Sequence, residues 1–440
     1  MKKMKSAGTF YPDNKNELIN LIETFKINTP KYYSRAVIVP HAGYIYSGKL
    51  TAKGIQHINP NVKNIFIFAP SHYTRVFGCL KCSYSAFETP LEPIQVNMDL
   101  LSQLNNIVNC ELSDEAFEKE HSIEVLLPLI KYFLPESKII PILYGCEDFK
   151  NISKIIEHFY GIEENAFIIS SDLSHFYPEK DAYKIDNYTA KMIEENNTKD
   201  FEIEQACGAV GICGLIDFAK NNEFSLIRIG LINSANVSGN SSRVVGYGSW
   251  ILYEGEKNKY LKEFYGNLII NICKNSIMSG LHLGNADIEN YDCVLEENGA
   301  SFVTLEINGN LRGCIGSIYA FRPLISDLKK NAHAAAFSDT RFKPLTKEEY
   351  NYLDIKVSLL SKPKRVEFST QEELIDSITP FKDGIIIRDG QLRGVFLPDV
   401  WEMLSDKKTF LKELKLKAGM DKNYFSESME VFKFYTTKIE

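Results

Sequence analysis

The stretch AVIVPHAGYIYSG, residues 36–48, decides how the first half of the chain folds. Residues 36–39 are small or apolar and predict a buried strand, which Pro40 ends. His41 follows at once, beside residues too small to crowd an imidazole ring. A lone histidine at a strand end is more often packed than functional, so the neighbouring strands decide its meaning.

The same pattern returns after two further predicted strands. Residues 65–69 lead to His72, and residues 167–170 lead to Asp172 and His175. Sites in open α/β sheets form beyond the carboxyl ends of the strands, so these side chains are expected to gather at one edge. Imidazole and carboxylate groups ligate iron, zinc or copper. The i, i+3 spacing of Asp172 and His175 predicts a helical turn with both on one face. Three converging strand ends favour a site.

Two other positions carry reactive groups in predicted helices. His121 lies at the start of an apolar helix predicted over residues 120–133, with Pro128 as a kink. It either handles a proton beside the site or packs at the helix start, and the two readings weigh evenly. Cys207 lies near the start of a helix predicted over residues 204–220, where the helix N-terminus lowers a thiol pKa. On the residues alone, a small core residue is the heavier alternative.

Composition limits the function classes. The chain has 440 residues, 44% of them hydrophobic, a net charge of −7 and a pI near 5.8, which argue against broad nucleic-acid binding. The start resembles no signal peptide, and no stretch approaches the ~20 apolar residues of a bilayer span, so a soluble, cytoplasmic protein is expected. The nine cysteines are scattered and do not suggest a disulfide framework. The single C-x-x-C motif, Cys79 to Cys82, is a weak indication of a metal site. The other two histidines of the first half, His57 and His158, are expected on helix surfaces.

Strand-like and helix-like segments alternate through the first 250 residues, which predicts an α/β domain on a largely parallel or mixed sheet. The charged stretch 253–260 breaks this pattern, and the domains are placed at 1–256 and 258–440. The second half reads as α+β. Its Asp389-Gly390 pair predicts a hairpin turn between two strands.

The most distinctive run of the second half is NGNLRGCIGSIYAFRPL, residues 308–324. Gly313 and Gly316 surround Arg312 and Cys314 with a tight or flexible backbone, which suits a small anion or thiol site. The run is neither a P-loop nor a dinucleotide fingerprint. A turn or bulge that needs glycine is the heavier alternative.

Six motifs of the first domain resemble the Memo family: AGTFYP (7–12), PHAGYIYSG (40–48), APSHY (69–73), EHSIEVLLP (120–128), SSDLSH (170–175) and GYGSW (246–250). The resemblance implies a fold similar to the LigB-like class III extradiol dioxygenases. It also implies a metal site formed by His41, His72 and Cys207, with Asp172 and His175 beside it. Ring-cleaving enzymes use a carboxylate where this site would have a thiolate. A thiolate is a softer ligand, which suits one redox-active ion of iron or copper.

The second domain resembles the AMMECR family through LRGCIGS (311–317), AAFSDTRFKPL (335–345), IKVSLLS (355–361), DGIIIRDGQLRGVFLPDVW (383–401) and LKLKAGM (414–420). The family signature LRGCIG implies a functional surface at Arg312, Gly313, Cys314 and Gly316. Chains that join the two families resemble proteins B and A of the AmmeMemoRadiSam system. That resemblance implies a radical SAM protein as partner.

Three functions stay open at this point. The first is a non-heme iron or copper oxidoreductase, dioxygenase-like, with Asp172, His175 and His121 as candidate catalytic groups. The second is a non-catalytic scaffold that binds a peptide or a partner, and the third is a metal chaperone. The expected partners are a radical SAM protein and a small molecule or peptide, with neither nucleic acid nor membrane.

Overall fold

The computed structural model describes residues 1–28, 32–145, 148–284 and 291–440, and of Ile203 only the backbone. One predicted free cysteine, Cys146, lies outside the described residues. The chain divides into two compact units, Met1–Lys257 and Asn258–Glu440, and each is described by itself. Within the described ranges, no helix combines the length and the apolar character that a bilayer crossing requires.

The first unit is built on one mixed sheet and a separate hairpin. Its strands are β1 (Ala36–Val39), β2 (Asn64–Pro70), β3 (Cys79–Lys81), β4 (Ala86–Phe87), β5 (Ile94–Gln95), β6 (Cys110–Leu112), β7 (Lys138–Tyr144), β8 (Asn165–Ser170), β9 (His175–Tyr177), β10 (Ser225–Asn233) and β11 (Val244–Tyr253). The sheet order is β10-β11-β1-β8-β2-β7-β3-β6, with β9 paired to β11. β1, β8, β2 and β7 run parallel, whereas β11 pairs antiparallel to β1. The predicted α/β class with a mixed sheet is confirmed.

The central strands are apolar runs because helices cover both faces of the sheet. All residues of β1 and β8 are buried, and so are six of the seven in β2 and in β7. Their parallel direction puts the exits of β1, β2 and β8 at one edge. The sheet therefore brings together the three loops that carry the predicted site residues.

The helices of the first unit begin at recognisable caps, such as Asn14 before the first helix. They are α1 (Lys15–Glu23), α2 (Lys49–Gln56), α3 (Met98–Gln103), α4 (Asp114–Glu118), α5 (His121–Glu124), α6 (Leu127–Phe133), α7 (Phe149–Tyr160), α8 (Glu179–Glu194), α9 (Ala209–Asn221) and α10 (Ala235–Ser238), with a π-helical turn at Tyr44–Gly48 and 3-10 turns at Leu104–Asn106 and Ile203–Gln205.

Three local predictions are wrong. The helix expected over 120–133 is two helices, because Pro128 lies in the first turn of α6, where its missing N–H costs nothing. Asp172 and His175 share no helical turn, since His175 begins β9. The helix expected from residue 204 begins at Ala209, so Cys207 lies in the preceding loop.

The second unit is α+β, as predicted. Its elements are α11 (Lys257–Gly280, which begins at the border), β12 (Asn298–Gly299), β13 (Ser301–Ile307), β14 (Asn310–Gly316), β15 (Arg322–Pro323), α12 (Leu324–Phe337), α13 (Lys347–Tyr350), β16 (Leu353–Leu360), β17 (Lys364–Val366), α14 (Gln371–Ser377), β18 (Gly384–Asp389), β19 (Leu392–Phe396), α15 (Lys407–Lys417), β20 (Glu430–Phe434) and β21 (Thr436–Ile439), with 3-10 turns at Cys293–Leu295 and Pro398–Glu402. Two antiparallel sheets have the orders β14-β13-β16-β21 and β17-β20-β18-β19. The predicted hairpin turn joins β18 to β19: Asp389 ends β18 opposite Leu392, and Gly390, at φ +55°, is the first residue of the turn.

Candidate metal centre

Three loops at the carboxyl edge of the sheet bring two imidazoles and a thiol together. His41 follows β1, His72 follows β2, and Cys207 lies in the loop before α9. Their ligand atoms all lie within 4.8 Å of one another. The Nε2 atom of His41 is 3.4 Å from Sγ of Cys207, and the ring centroids of His41 and His72 are 5.2 Å apart.

These separations suit one metal ion. Metal bonds of about 2.0 Å to nitrogen and about 2.3 Å to sulfur in a tetrahedral arrangement place neighbouring ligand atoms about 3.5 Å apart. The distance between His41 Nε2 and Cys207 Sγ already matches that spacing. The donor set therefore fits a cation without a large rearrangement of the loops.

The orientation of His41 is set by hydrogen bonds on its far side. Its Nδ1 atom lies 2.8 Å from the hydroxyl oxygen of Ser170, whose own proton is donated to the carbonyl oxygen of Ser122 at 2.6 Å. The backbone N–H of His41 donates to Asp172 Oδ1 at 2.9 Å. Burial and the neighbouring imidazoles lower the pKa of His41 well below its ordinary value. The ring is therefore neutral at physiological pH, as a metal ligand must be.

His72 is held by one buried carboxylate. Its Nδ1 atom lies 2.9 Å from Oε1 of Glu120, and its backbone N–H donates to Oε2 at 2.6 Å. Glu120 is 2% exposed, whereas 28% of the His72 side chain is exposed. Burial opposes ionisation of Glu120, but the hydrogen bond and the charge of His72 lower the pKa of this carboxyl to about 2. Glu120 also accepts from the backbone of His121 and Ser122 and so begins α5.

Cys207 carries its proton when no cation is bound. The backbone N–H of Asp172 donates to Sγ at 3.2 Å, and Ser171 lies 3.9 Å from the same sulfur. Burial, followed by the charge of Asp172, raises the pKa of the thiol well above its ordinary value. The expected lowering by a helix N-terminus is wrong, because α9 begins two residues later and desolvation dominates.

The three candidate catalytic groups border the ligand set differently. His121 packs against both imidazoles: its ring centroid lies 4.7 Å from that of His72 and 5.5 Å from that of His41. Among the described residues its buried Nδ1 has no hydrogen-bond partner, and burial followed by His72 lowers its pKa to about 4. Asp172 is buried, and that burial raises its pKa to about 7. Burial also lowers the pKa of His175.

Glu124, one turn after Glu120, ties the N-terminal segment to this site. Its carboxylate pairs with the buried Lys2 at 2.7 Å and accepts from the hydroxyl of Tyr11 and the backbone N–H of Lys5 and Ser6. The segment then places the ring of Phe10 at 4.8 Å from that of His121. The sequence motifs 7–12 and 120–128 are thus two sides of one contact.

In the second unit, Arg312 and Cys314 are engaged in contacts along β14, an edge strand. Arg312 makes a two-point ion pair with Glu349, at 2.9 and 3.0 Å. The backbone N–H of Cys314 donates to the Asp339 carboxylate at 2.9 Å. Arg341 donates to the backbone carbonyl oxygen of Cys314 at 3.2 Å. These side chains cover the free edge of the strand.

The two glycines of the same strand allow close packing. A Cβ at Gly313 would lie 2.2 Å from the carbonyl oxygen of Ala335 in α12, and one at Gly316 would meet the ring of Phe302 at 2.2 Å. The glycines are therefore required by close approach of backbone and ring.

Two other expectations concern isolated side chains. His57 is buried rather than on a surface, and its Nδ1 lies 2.8 Å from the carbonyl oxygen of Lys53. Cys79 and Cys82 are buried and form no disulfide within the described residues. Neither belongs to a candidate metal group within the described ranges.

The comparisons with known proteins match both halves of the chain. The Memo-like protein family matches residues 2–251, which is more than half of the chain. The chain belongs to the Memo-like family. AMMECR1 matches residues 270–439, so this Memo-like protein carries an AMMECR1 domain as its second unit.

Several relatives cover one unit each. A MEMO1 family protein of Aquifex aeolicus is 31% identical over 255 residues, covering 55% of this chain and 95% of its own length. Protein SSO0193 of Saccharolobus solfataricus is 36% identical over 183 residues, covering 40% of this chain and 81% of its own. The solved structure of the uncharacterized protein PH0010 from Pyrococcus horikoshii shows 31% identity and a TM-score of 0.36, covering 39% of this chain and 89% of its own.

Sequence reasoning missed two residues of this Memo-like site. Glu120 and Ser170 touch the far sides of His72 and His41, yet neither was singled out for that role. Glu120 directly precedes His121, and Ser170 is the first residue of the SSDLSH motif, so both lie within motifs that the sequence analysis identified. Nothing in the residue order shows that a side chain at position 120 reaches His72.

Proposed function

We propose that the Memo-like unit binds one iron or copper ion through His41, His72 and Cys207 and works as a non-heme redox centre. One observation carries the proposal: two imidazoles and a thiol from three separate loops lie within 4.8 Å of one another. Three protein ligands leave coordination positions open, which is typical of reactive rather than structural metal sites.

The donor chemistry supports iron or copper. A thiolate with two imidazoles is a soft set, which disfavours magnesium and calcium and suits metals that change oxidation state. When bound, such an ion supplies one-electron chemistry to a molecule at its open positions.

Groups of this chain beside the ligands can handle protons. His121 is neutral at pH 7, and its buried Nδ1 makes no hydrogen bond to a described residue, although Oε1 of Glu120 lies 3.3 Å away. Asp172, with a pKa of about 7, can hold or release a proton near neutrality. His175 begins β9 beside them and is the third candidate for this work.

The proposal extends to partners. The fusion of a Memo-like unit with an AMMECR1 domain supports work in one process with a radical SAM protein, on a small molecule or peptide. Delivery of the metal to that partner is a second candidate function. It is favoured by the exposure of His72, since a ligand that is 28% exposed can be exchanged from solution.

Elemental analysis tests the metal site first. Protein is purified without oxygen and without added metal, together with His41→Ala and with His158→Ala, which changes an exposed histidine on α7. About one iron or copper per chain is expected in the wild type and in His158→Ala, and none in His41→Ala. A wild type that carries no metal and takes up neither Fe(II) nor Cu(I) on titration would refute the proposal.

Two further measurements separate the redox centre from the carrier. Reversible oxidation and reduction of the bound metal, followed by its absorption spectrum, is expected of a redox centre. Rapid loss of the metal to a competing chelator, with no stable second oxidation state on the protein, would instead support delivery.

A further inference from the structure

A second group of metal-type side chains, His72, Glu120 and His121, adjoins the proposed site, with ligand atoms within 4.8 Å of one another. Its central atom is Oε1 of Glu120, which lies 2.9 Å from Nδ1 of His72 and 3.3 Å from Nδ1 of His121. That oxygen already accepts hydrogen bonds from His72 Nδ1 and from the backbone N–H of His121 and Ser122. A carboxylate oxygen offers about two lone pairs, so Oε1 has none left for a cation.

We propose that Glu120 and Ser170 are positioning residues that hold His72 and His41 with the proton on Nδ1 and the lone pair on Nε2. The role of this arrangement in metal binding rests on the proposed function, whereas the hydrogen bonds and the tautomers are properties of the metal-free chain. Which nitrogen carries the proton is decided by what each Nδ1 atom faces.

For His72 the partner can only accept. Both oxygens of the buried Glu120 carboxylate already accept backbone N–H groups, Oε2 from His72 and Oε1 from His121 and Ser122, so Glu120 acts as an acceptor. Nδ1 of His72, at 2.9 Å, must therefore be the donor. With the Nδ1 proton held in this way, the neutral form of the ring is the one with an unprotonated Nε2, which is the form that binds a metal.

For His41 the argument runs through a hydroxyl. Ser170 has one proton, and the carbonyl oxygen of Ser122, at 2.6 Å, takes it. Only the lone pairs of the Ser170 hydroxyl remain for Nδ1 of His41 at 2.8 Å, so Nδ1 donates here too. Nε2 of His41 is then the unprotonated atom that faces Cys207 at 3.4 Å.

Both relays meet in the first turn of α5. Ser122 accepts from Ser170 with its carbonyl, donates its backbone N–H to Glu120, and donates its hydroxyl to the carbonyl of Pro70 at 2.9 Å. This turn is thereby bound to the exits of β2 and β8 at once. A three-residue segment, 120–122, therefore presets two ligands that come from different strands.

Glu124 is a matched control on the same helix. Like Glu120 it is 2% exposed, and it accepts four hydrogen bonds. Its donors are Lys2, Lys5, Ser6 and Tyr11, and none of them is a candidate ligand. Glu124→Gln therefore removes a buried carboxylate of the same helix without touching either relay.

Nitrogen-15 NMR of the metal-free protein, labelled at histidine, tests the arrangement directly. His41 and His72 are expected as Nδ1–H tautomers in the wild type. Glu120→Gln is expected to change the tautomer population of His72 alone, Ser170→Ala that of His41 alone, and Glu124→Gln neither. A wild-type His72 protonated on Nε2, or one unchanged in folded Glu120→Gln, would overturn the proposal; the wild-type spectrum decides even if a variant does not fold.

Metal affinity, measured with Co(II) and Cu(I), separates this proposal from the proposed function. Glu120→Gln is expected to weaken binding about 10–100-fold, and Glu124→Gln to leave the affinity of the folded protein unchanged. If the wild type shows the expected tautomers but takes up no metal, the proposed function is refuted and the positioning role is retained. If the wild type takes up metal, but Glu120→Gln changes neither the histidine tautomers nor the metal affinity, the positioning role alone is refuted.

Discussion

Nε2 of His41 lies 3.4 Å from Sγ of Cys207, although 166 positions separate the two residues along the chain. The loop after β8 makes this possible. The backbone N–H of His41 donates to the Asp172 carboxylate, while the backbone N–H of Asp172 donates to the sulfur. Asp172 therefore aligns an imidazole and a thiol that no local sequence pattern connects.

Removal of the thiol should change metal preference more than stability. Cys207→Ser replaces a soft ligand with a hard one, so we expect Cu(I) affinity to fall by at least about 100-fold and Co(II) affinity to fall less. Sulfur-to-metal charge-transfer absorption should disappear. Cys213→Ser, a buried cysteine of α9 outside the candidate metal groups, is the control and should keep both properties. An equal loss for both metals would contradict thiolate ligation.

Metal binding should release a proton. The pKa of Cys207 is raised by burial, so its thiol is protonated at pH 8, whereas the pKa of His41 is lowered and its ring is already neutral. At pH 8, above the pKa of Asp172, we expect about one proton released per metal, with affinity falling as the pH is lowered. Calorimetry in two buffers of different ionisation enthalpy measures this number. Cys207→Ser should release close to none.

Asp186 on α8 should make stability pH-dependent. Its carboxylate is 3% exposed and accepts from the backbone N–H of Ser174, and burial raises its pKa from 3.8 to about 6. A raised pKa contributes stability below 3.8 that is lost as the pH rises through about 6. Asp186→Asn removes this penalty, so its gain in the free energy of unfolding should be about 1 kcal/mol larger at pH 8 than at pH 5.

Urea denaturation at the two pH values measures the difference. Asp181→Asn is the control, because Asp181 lies on the same helix with 55% of its side chain exposed and should show no such dependence. A gain that is equal at pH 5 and pH 8 would show that the carboxyl of Asp186 is not perturbed.

Gly313 should tolerate no side chain. A Cβ there would lie 2.2 Å from the carbonyl oxygen of Ala335, and because that atom belongs to the backbone, no side-chain rotation relieves the contact. We expect Gly313→Ala to lower the free energy of unfolding by about 2–3 kcal/mol. Gly266→Ala in α11, whose Cβ would meet Ile439 at an ordinary 3.4 Å, should be neutral or stabilising. A harmless Gly313→Ala would return the LRGCIG signature to a binding role rather than a packing one.

The sequence predicts the central strands of the first sheet well and the helix around His121 poorly. Apolar runs such as residues 65–69 are unmistakable because strands buried on both faces need no polar alternation. The span 120–133 is continuous in its apolar spacing, yet it divides into α5 and α6 just before Pro128, and Glu120 and Glu124, at the two ends of α5, are engaged in tertiary hydrogen bonds. Periodicity carries no information about those tertiary hydrogen bonds.

The electrostatic expectation at Cys207 fails for a related reason. Position relative to a helix start suggests a lowered thiol pKa, but the burial of the sulfur and its closeness to Asp172 act in the opposite direction. Desolvation depends on what the rest of the fold packs around an atom. The position of a residue in the chain therefore does not show whether its pKa is raised or lowered.

The sequence by itself determined the two-unit organisation, the strands that end at one edge, and the motifs whose resemblance to the Memo family implies one site for His41, His72 and Cys207. Only the tertiary structure decided what holds them: Glu120 behind His72, Ser170 behind His41, and a shared turn of α5. Side-chain identity and spacing specify which chemical groups are present. Their protonation and direction follow from contacts between segments far apart in the chain, which exist only once the sheet has brought the loops together.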